Sequence, residues 1–152
     1  MKNISVIGSG TMGNGIAHSF AQMGYNVTLL DISTRNLTKA KENISKNLDR
    51  MIKKEKILEN EKKDILNRIM FVSEFNDKIK NSDLVVEAAT ESKEIKQEIF
   101  NKLDKFCKPD TILASNTSSI SIEDIANSTN RKEKVIGMHF MNPVPLMKLV
   151  EV

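Results

Sequence analysis

With 152 residues, 39% of them hydrophobic and 28% charged, the chain has an ordinary globular makeup and enough length to bury a core without cross-links. A net charge of +3 is too small to imply a nucleic-acid partner, and no apolar run reaches membrane length. The single cysteine, Cys107, excludes an internal disulfide framework and suits a reducing compartment; with no signal-peptide pattern at the N-terminus, the expected location is the cytoplasm.

In chain order, residues 2–7 form a short β-prone run broken by Gly8. An amphipathic helix is predicted from about Thr11 to Met23, closed by Gly24 in the position of a C′ glycine. Residues 25–30 read as a second strand ending at Asp31, which completes a right-handed βαβ unit. Ser33 has the character of a helix N-cap. Leu37, Ala40, Ile44, Leu48, Met51 and Ile52 then recur at helical spacing, with helical character running towards Ile57. A break near Glu59 and Asn60 precedes a shorter helix with Ile65 and Leu66, and residues 69–72 read as the next strand. Nearly forty residues thus separate the second and third strands, which predicts a protruding helical hairpin over about residues 33–68.

Residues 84–87 read as a buried parallel strand with a carboxylate, Glu87, at its C-terminal end. The helix expected over residues 92–106 carries Ile95, Ile99, Phe100 and Leu103 on one face, and Cys107 beyond it reads as a packed thiol. A strand over residues 111–114, a polar loop over 115–119, a short helix over 122–126 and a strand over 135–139 complete the alternation. The order predicts an α/β fold with a doubly wound, mostly parallel sheet of Rossmann type.

Gly8-Ser-Gly10-Thr-Met-Gly13 matches G-x-G-x-x-G and lies between a strand and a helix, the context that gives the motif meaning. Gly8 permits a tight turn, Gly10 lets backbone approach a pyrophosphate, and Gly13 allows helix to pack closely on strand. The turn, Thr11 and Met12 included, is the candidate phosphate cradle, because a helix N-terminus presents free N–H groups and a positive dipole end. Asp31, eighteen residues past Gly13, is placed to accept hydrogen bonds from a ribose diol and to repel a 2′-phosphate. NAD is therefore the expected cofactor; NADP stays open because Arg35 lies near enough to meet a 2′-phosphate. No metal site is expected.

Three polar groups are expected at the carboxyl ends of strands, where open α/β sheets bind ligands: Glu87 and the segment after it, residues 115–119, and His139 with Asn142. His139 alone reads as a histidine packed at a strand end. With Ser118, Asn142 and Glu151, a proton-transfer centre is the better reading, since imidazole is the natural base near neutral pH and a carboxylate fixes its tautomer. His18 has no partner motif and reads as a surface or packing residue. Asn116 is either a loop cap or a cofactor contact.

The segments Ile7-Gly-Ser-Gly-Thr-Met-Gly-Asn-Gly-Ile-Ala17, Val85-Val-Glu-Ala-Ala89, Ala114-Ser-Asn-Thr-Ser-Ser119 and residues 137–152 together resemble the L-3-hydroxyacyl-CoA dehydrogenase family, in its bacterial 3-hydroxybutyryl-CoA branch. The resemblance implies that His139 is the general base, that Glu151 stabilises its imidazolium, and that Ser118 and Asn142 contact the substrate oxygen being oxidised. It also implies that Glu91 and Lys96 lie near the nicotinamide ribose. The hairpin would lie over the active site, with Lys54 a candidate for the phosphates of an acyl-CoA substrate; a solvated basic face explains Lys46, Arg50, Lys53, Lys54 and Lys56 almost equally well. Family members continue into an all-helical C-terminal domain that forms most of the dimer interface and closes the cleft; these residues match only the part before it. Val150 and Val152 are expected on the face opposite Glu151, in a terminal strand prone to fray. Two function classes follow: an oxidoreductase acting on 3-hydroxyacyl-CoA, and a nucleotide-binding module without turnover.

Overall fold

The computed structural model describes residues 1–152. The chain runs β1 (Asn3–Ile7), α1 (Thr11–Gln22), β2 (Asn26–Leu30), α2 (Thr34–Lys53), α3 (Glu59–Asn67), β3 (Ile69–Val72) and α4 (Asp77–Lys80). It continues through β4 (Leu84–Glu87), α5 (Lys93–Phe106), β5 (Ile112–Ser115), α6 (Ile122–Ala126), β6 (Val135–Gly137), β7 (His139–Phe140) and β8 (Val150–Glu151). Six strands form one sheet in the order β3-β2-β1-β4-β5-β6, all parallel, and β7 and β8 form a separate antiparallel pair. This is the strand order of a Rossmann-type sheet, with β1 and β4 flanking the point where the winding reverses.

The alternation of side chains along each strand feeds two cores. Ile4 and Val6 of β1, Val27 and Leu29 of β2, and Leu84 and Val86 of β4 pack with α1, α2 and α3 on one face. Ile7, Leu30 and Val85 point the other way and pack with Phe100 and Leu103 of α5 and Ile125 of α6. Cys107 belongs to this second core, and burial pushes its thiol up to about 11.

Helix ends show where local sequence suffices. Gly24 sits at φ +92, and the N–H groups of Gly24 and Tyr25 close onto the carbonyls of Ala21 and Phe20, a Schellman ending for α1. The same pair of bonds ends α2, from Glu55 to Ile52 and from Lys56 to Met51, but here Glu55 takes the left-handed φ of +55. A glutamate gives no warning of that conformation, so α2 stops at Lys53 rather than near Ile57. Ser33 does cap it, accepting from the Asn36 N–H.

The hairpin of α2 and α3 is seated at its root: Leu37, Ala40, Ile44, Leu48, Ile57 and Ile65 join the same core as β1, leaving an exposed tip over residues 53–56 and 58–61. On α5 the expected apolar face is corrected. Ile95 is 44% exposed, and the buried seam is Lys96, Phe100 and Leu103. Lys96 turns inward because Glu87 awaits it there. The strand expected over residues 135–139 divides: Met138 N–H makes its bond to the Ser115 carbonyl, then Asn116 Oδ1 captures the Phe140 N–H at 2.9 Å and draws the chain off the sheet. No helix is long and apolar enough to cross a membrane.

Candidate active site

β1 delivers the chain into a turn at Gly8, whose φ is +96 and which lies against the Ala88–Ala89 backbone; a Cβ there would stand 2.6 Å from Ala89 Cα. At Gly13 a Cβ would stand 1.8 Å from the Gly8 carbonyl oxygen, so α1 approaches β1 as only glycine permits. Gly10 differs: nothing lies within 4 Å of where its Cβ would be. It is also the N-cap of α1 and offers the first turn no side-chain partner, so N–H groups and the helix dipole face open space. This fits a dinucleotide pyrophosphate.

Asp31 lies just past the end of β2, beside this turn. Its Oδ2 accepts from the Ser9 N–H at 2.9 Å and the Ser9 hydroxyl at 2.7 Å, and its Oδ1 accepts from the Ser33 N–H at 2.9 Å. Burial works against the charge, but the bonds from Ser33, Ser9 and Asn36 outweigh it and hold the carboxyl below its ordinary value. A fixed, ionised carboxylate suits a ribose diol and opposes a 2′-phosphate. Ser9 is a contributor that the motif alone did not reveal, because the variable position of G-x-G says nothing about side-chain direction.

At the ends of β4 and β5 lies a second polar cluster. Glu87 and Lys96 are 0% and 2% exposed and meet at 2.7 Å, while Glu91 lies 3.7 Å from Lys96 Nζ. Glu91 Oε1 accepts from the Thr117 hydroxyl, from the Ser118 N–H at 3.1 Å and from the Ser119 hydroxyl at 3.1 Å. Burial again opposes its charge and is outweighed, by Thr117, Ser118, the Lys96 ammonium and Ser119, so the Glu91 carboxyl is held low.

His139 and Glu151 face each other as register partners of β7 and β8, with Nδ1 and Oε2 2.9 Å apart. The pair lines an open recess together with Thr117, Ser118 and Gly137, so the structure brings His139, Glu151 and Ser118 together. Asn142 is exposed and lines a different recess, with Thr11, Asn14, Asn43, Lys46 and Arg50. Lys54 is exposed at the C-cap of α2 and lines neither recess. Asn116 serves as the cap on the Phe140 N–H. Gly15, noted in sequence only within a longer match, lets the segment after β7 press on α1: a Cβ there would stand 2.9 Å from Val144 Cβ. His18 is fully buried with both ring nitrogens unpartnered, and burial lowers its pKa to about 4, which fits a packing residue held neutral.

Residues 3–152 match the family model described as 3-hydroxyacyl-CoA dehydrogenase, NAD binding domain. A 3-hydroxybutyryl-CoA dehydrogenase of Clostridioides difficile is 48% identical over 149 residues, which are 98% of this chain and 53% of that protein. The mitochondrial hydroxyacyl-coenzyme A dehydrogenase of Homo sapiens is 44% identical over 158 residues, covering 100% of this chain and 50% of the human protein. Among solved structures, the (S)-3-hydroxybutyryl-CoA dehydrogenase of Ralstonia eutropha superposes with a TM-score of 0.95 at 45% identity, over 99% of this chain and 53% of that one. The chain spans about half the length of the curated relatives it matches. With the glycine turn, the ionised carboxylate beside it and this match along nearly its whole length, the chain belongs to the 3-hydroxyacyl-CoA dehydrogenase family, as its NAD-binding domain.

Proposed function

We propose that this chain forms the cofactor-binding and proton-transfer half of an oxidoreductase that interconverts a short-chain (S)-3-hydroxyacyl-CoA, foremost 3-hydroxybutyryl-CoA, and the 3-oxoacyl-CoA. The observation that carries the reading is the 2.9 Å contact of His139 Nδ1 with Glu151 Oε2, beside the Ser118 loop. With Nδ1 engaged, Nε2 is the atom that takes the proton from the 3-hydroxyl. Bound NAD supplies the hydride acceptor. Removing the hydroxyl proton raises electron density on the oxygen and eases departure of hydride from the same carbon. Glu151 stabilises the imidazolium that results, and in the reverse direction the same imidazolium returns the proton.

Ser118, in the recess of His139, is assigned to the substrate oxygen, and the family resemblance assigns Asn142 to the same oxygen although it lines the other recess; Glu91 and Lys96 are assigned to the nicotinamide ribose and Asp31 to the adenosine ribose. Gly8, Gly10, Thr11, Met12 and Gly13 hold the pyrophosphate. Lys54 is assigned to the phosphates of the acyl-CoA, with Lys46 and Arg50 nearer the recess that holds Asn142.

One observation favours a nucleotide-binding module without turnover: the side chain of Glu151 is 61% exposed, so the His139 pair is open to water on one side. NADH oxidation with acetoacetyl-CoA, paired with NADH titration, separates the two. Turnover that disappears in His139→Ala while NADH still binds supports the enzyme. Tight NADH binding with no acetoacetyl-CoA-dependent oxidation in the parent chain supports the module.

A further inference from the structure

We propose that Glu87 is a positioning residue that holds the cofactor turn and the Lys96–Glu91 pair in one geometry, and so sets the affinity for the nicotinamide half of the cofactor. The inference rests on the reading above that Glu91 and Lys96 face the nicotinamide ribose.

Glu87 and Lys96 are the buried charges of this site, at 0% and 2% exposure. A buried ion pair is not an efficient way to stabilise a core, because desolvation offsets its attraction and apolar residues of similar size do as well. Its geometry points to another task. Glu87 Oε1 accepts from the Ala89 N–H at 2.8 Å and from Lys96 Nζ at 2.9 Å, while Oε2 accepts from Lys96 Nζ at 2.7 Å and the Ser115 hydroxyl at 2.8 Å. With two partners on each oxygen, the carboxylate has no freedom to rotate.

Each partner leads to a separate part of the site. Ala89 is the residue on which Gly8 rests, so the first bond fixes the wall behind the phosphate turn. Lys96 reaches on to Glu91 at 3.7 Å, and Glu91 holds Thr117, Ser118 and Ser119. Ser115 Oγ also accepts from the Thr117 N–H at 3.3 Å, which ties the same loop from below. Removing the charge of Glu87 leaves Lys96 with Glu91 as its one nearby counter-ion. The ammonium then shifts towards Glu91 and draws that carboxylate away from the loop it holds.

The test is NADH titration of the full chain by fluorescence, with thermal unfolding, for Glu87→Gln, Lys96→Met and the double variant. Glu87→Gln is expected to weaken NADH binding about tenfold, the size of one charged hydrogen bond lost. The double variant, which buries no unpaired charge, is expected to melt close to the parent yet bind NADH no better than Lys96→Met alone. The double variant thus separates the stability cost of an unpaired buried charge from the affinity that Lys96 supplies, and Glu87→Gln with Lys96 retained carries the test of Glu87. Should Glu87→Gln fail to fold, Glu87→Asp, which keeps Lys96 and the charge but shortens its reach, decides in its place: weakened NADH binding supports the inference and parent-like affinity overturns it. Parent-like affinity in Glu87→Gln while Lys96→Met is weakened overturns the inference alone. Parent-like affinity in both Lys96→Met and Glu91→Gln overturns the ribose reading and the inference with it.

Discussion

The phosphate turn and the His139–Glu151 pair are built in opposite ways. The turn grows out of β1, which has five register pairs with β2 and four with β4, and two of its glycines, Gly8 and Gly13, press on backbone. The pair stands on two strands joined by two register pairs, and its side chains are 30% and 61% exposed. A cradle for pyrophosphate, the role proposed for the turn, depends on backbone N–H groups held in place, and the turn follows the central strand β1. A proton acceptor, the role proposed for His139, must reach a reacting atom, and the pair stands on a rim with Glu151 engaging Nδ1 alone. The cost of disturbing each region should differ accordingly.

The largest effect is expected at the turn, and it sharpens the contrast between two of its glycines. Gly13→Ala forces a Cβ into the Gly8 carbonyl, 1.8 Å away, and should destabilise the chain by about 3 kcal/mol or more. Gly10→Ala meets nothing within 4 Å and should leave thermal unfolding within a degree or two of the parent, by roughly 0.5 kcal/mol at most. Its methyl group nevertheless occupies the space in front of the helix N-terminus, so NADH affinity should fall. Unchanged NADH binding in Gly10→Ala would break the assignment of that space to the cofactor.

A smaller effect is expected further along α1. His18 is buried neutral, with a pKa lowered from 6.5 to about 4 by burial. The unfolded chain therefore binds the extra proton between those values. Stability is full above pH 6.5, is lost as pH falls through that window, and levels off below about 4. Between pH 7 and 5 the loss should be about 2 kcal/mol, and His18→Leu should remove most of that slope in melting curves. The smallest effect belongs to the rim. Glu151→Gln breaks an exposed pair and should change stability by less than about 0.5 kcal/mol, read by chemical denaturation. A loss several times larger would show that β7 and β8 are more tightly integrated than their exposure implies.

Much of this contrast was legible in the chain. The G-x-G-x-x-G turn, Asp31, the Ser33 cap and the Gly24 ending follow from local rules, because each depends on the conformations open to one or two residues. The alternation of strands and helices likewise announced the doubly wound sheet. What failed did so where a distant partner decides. Ile95 satisfies helical spacing, yet Lys96 takes the inward place because Glu87 binds it there. Residues 135–139 look like one strand, yet Asn116 draws Phe140 off the sheet. Glu55 ends α2 in a left-handed conformation that no glycine advertises.

Periodicity and local backbone preference are enough to specify the fold class, the glycine turn and the residue types gathered at the carboxyl ends of the strands. Long-range packing, by contrast, sets that Ser118, His139 and Glu151 share a recess while Asn142 lines another. It alone decided, too, that a buried carboxylate on β4 links the cofactor turn to the loop after β5. Those relations join residues far apart in the chain, and the energy of a contact between them depends on burial and distance that no single stretch of sequence encodes.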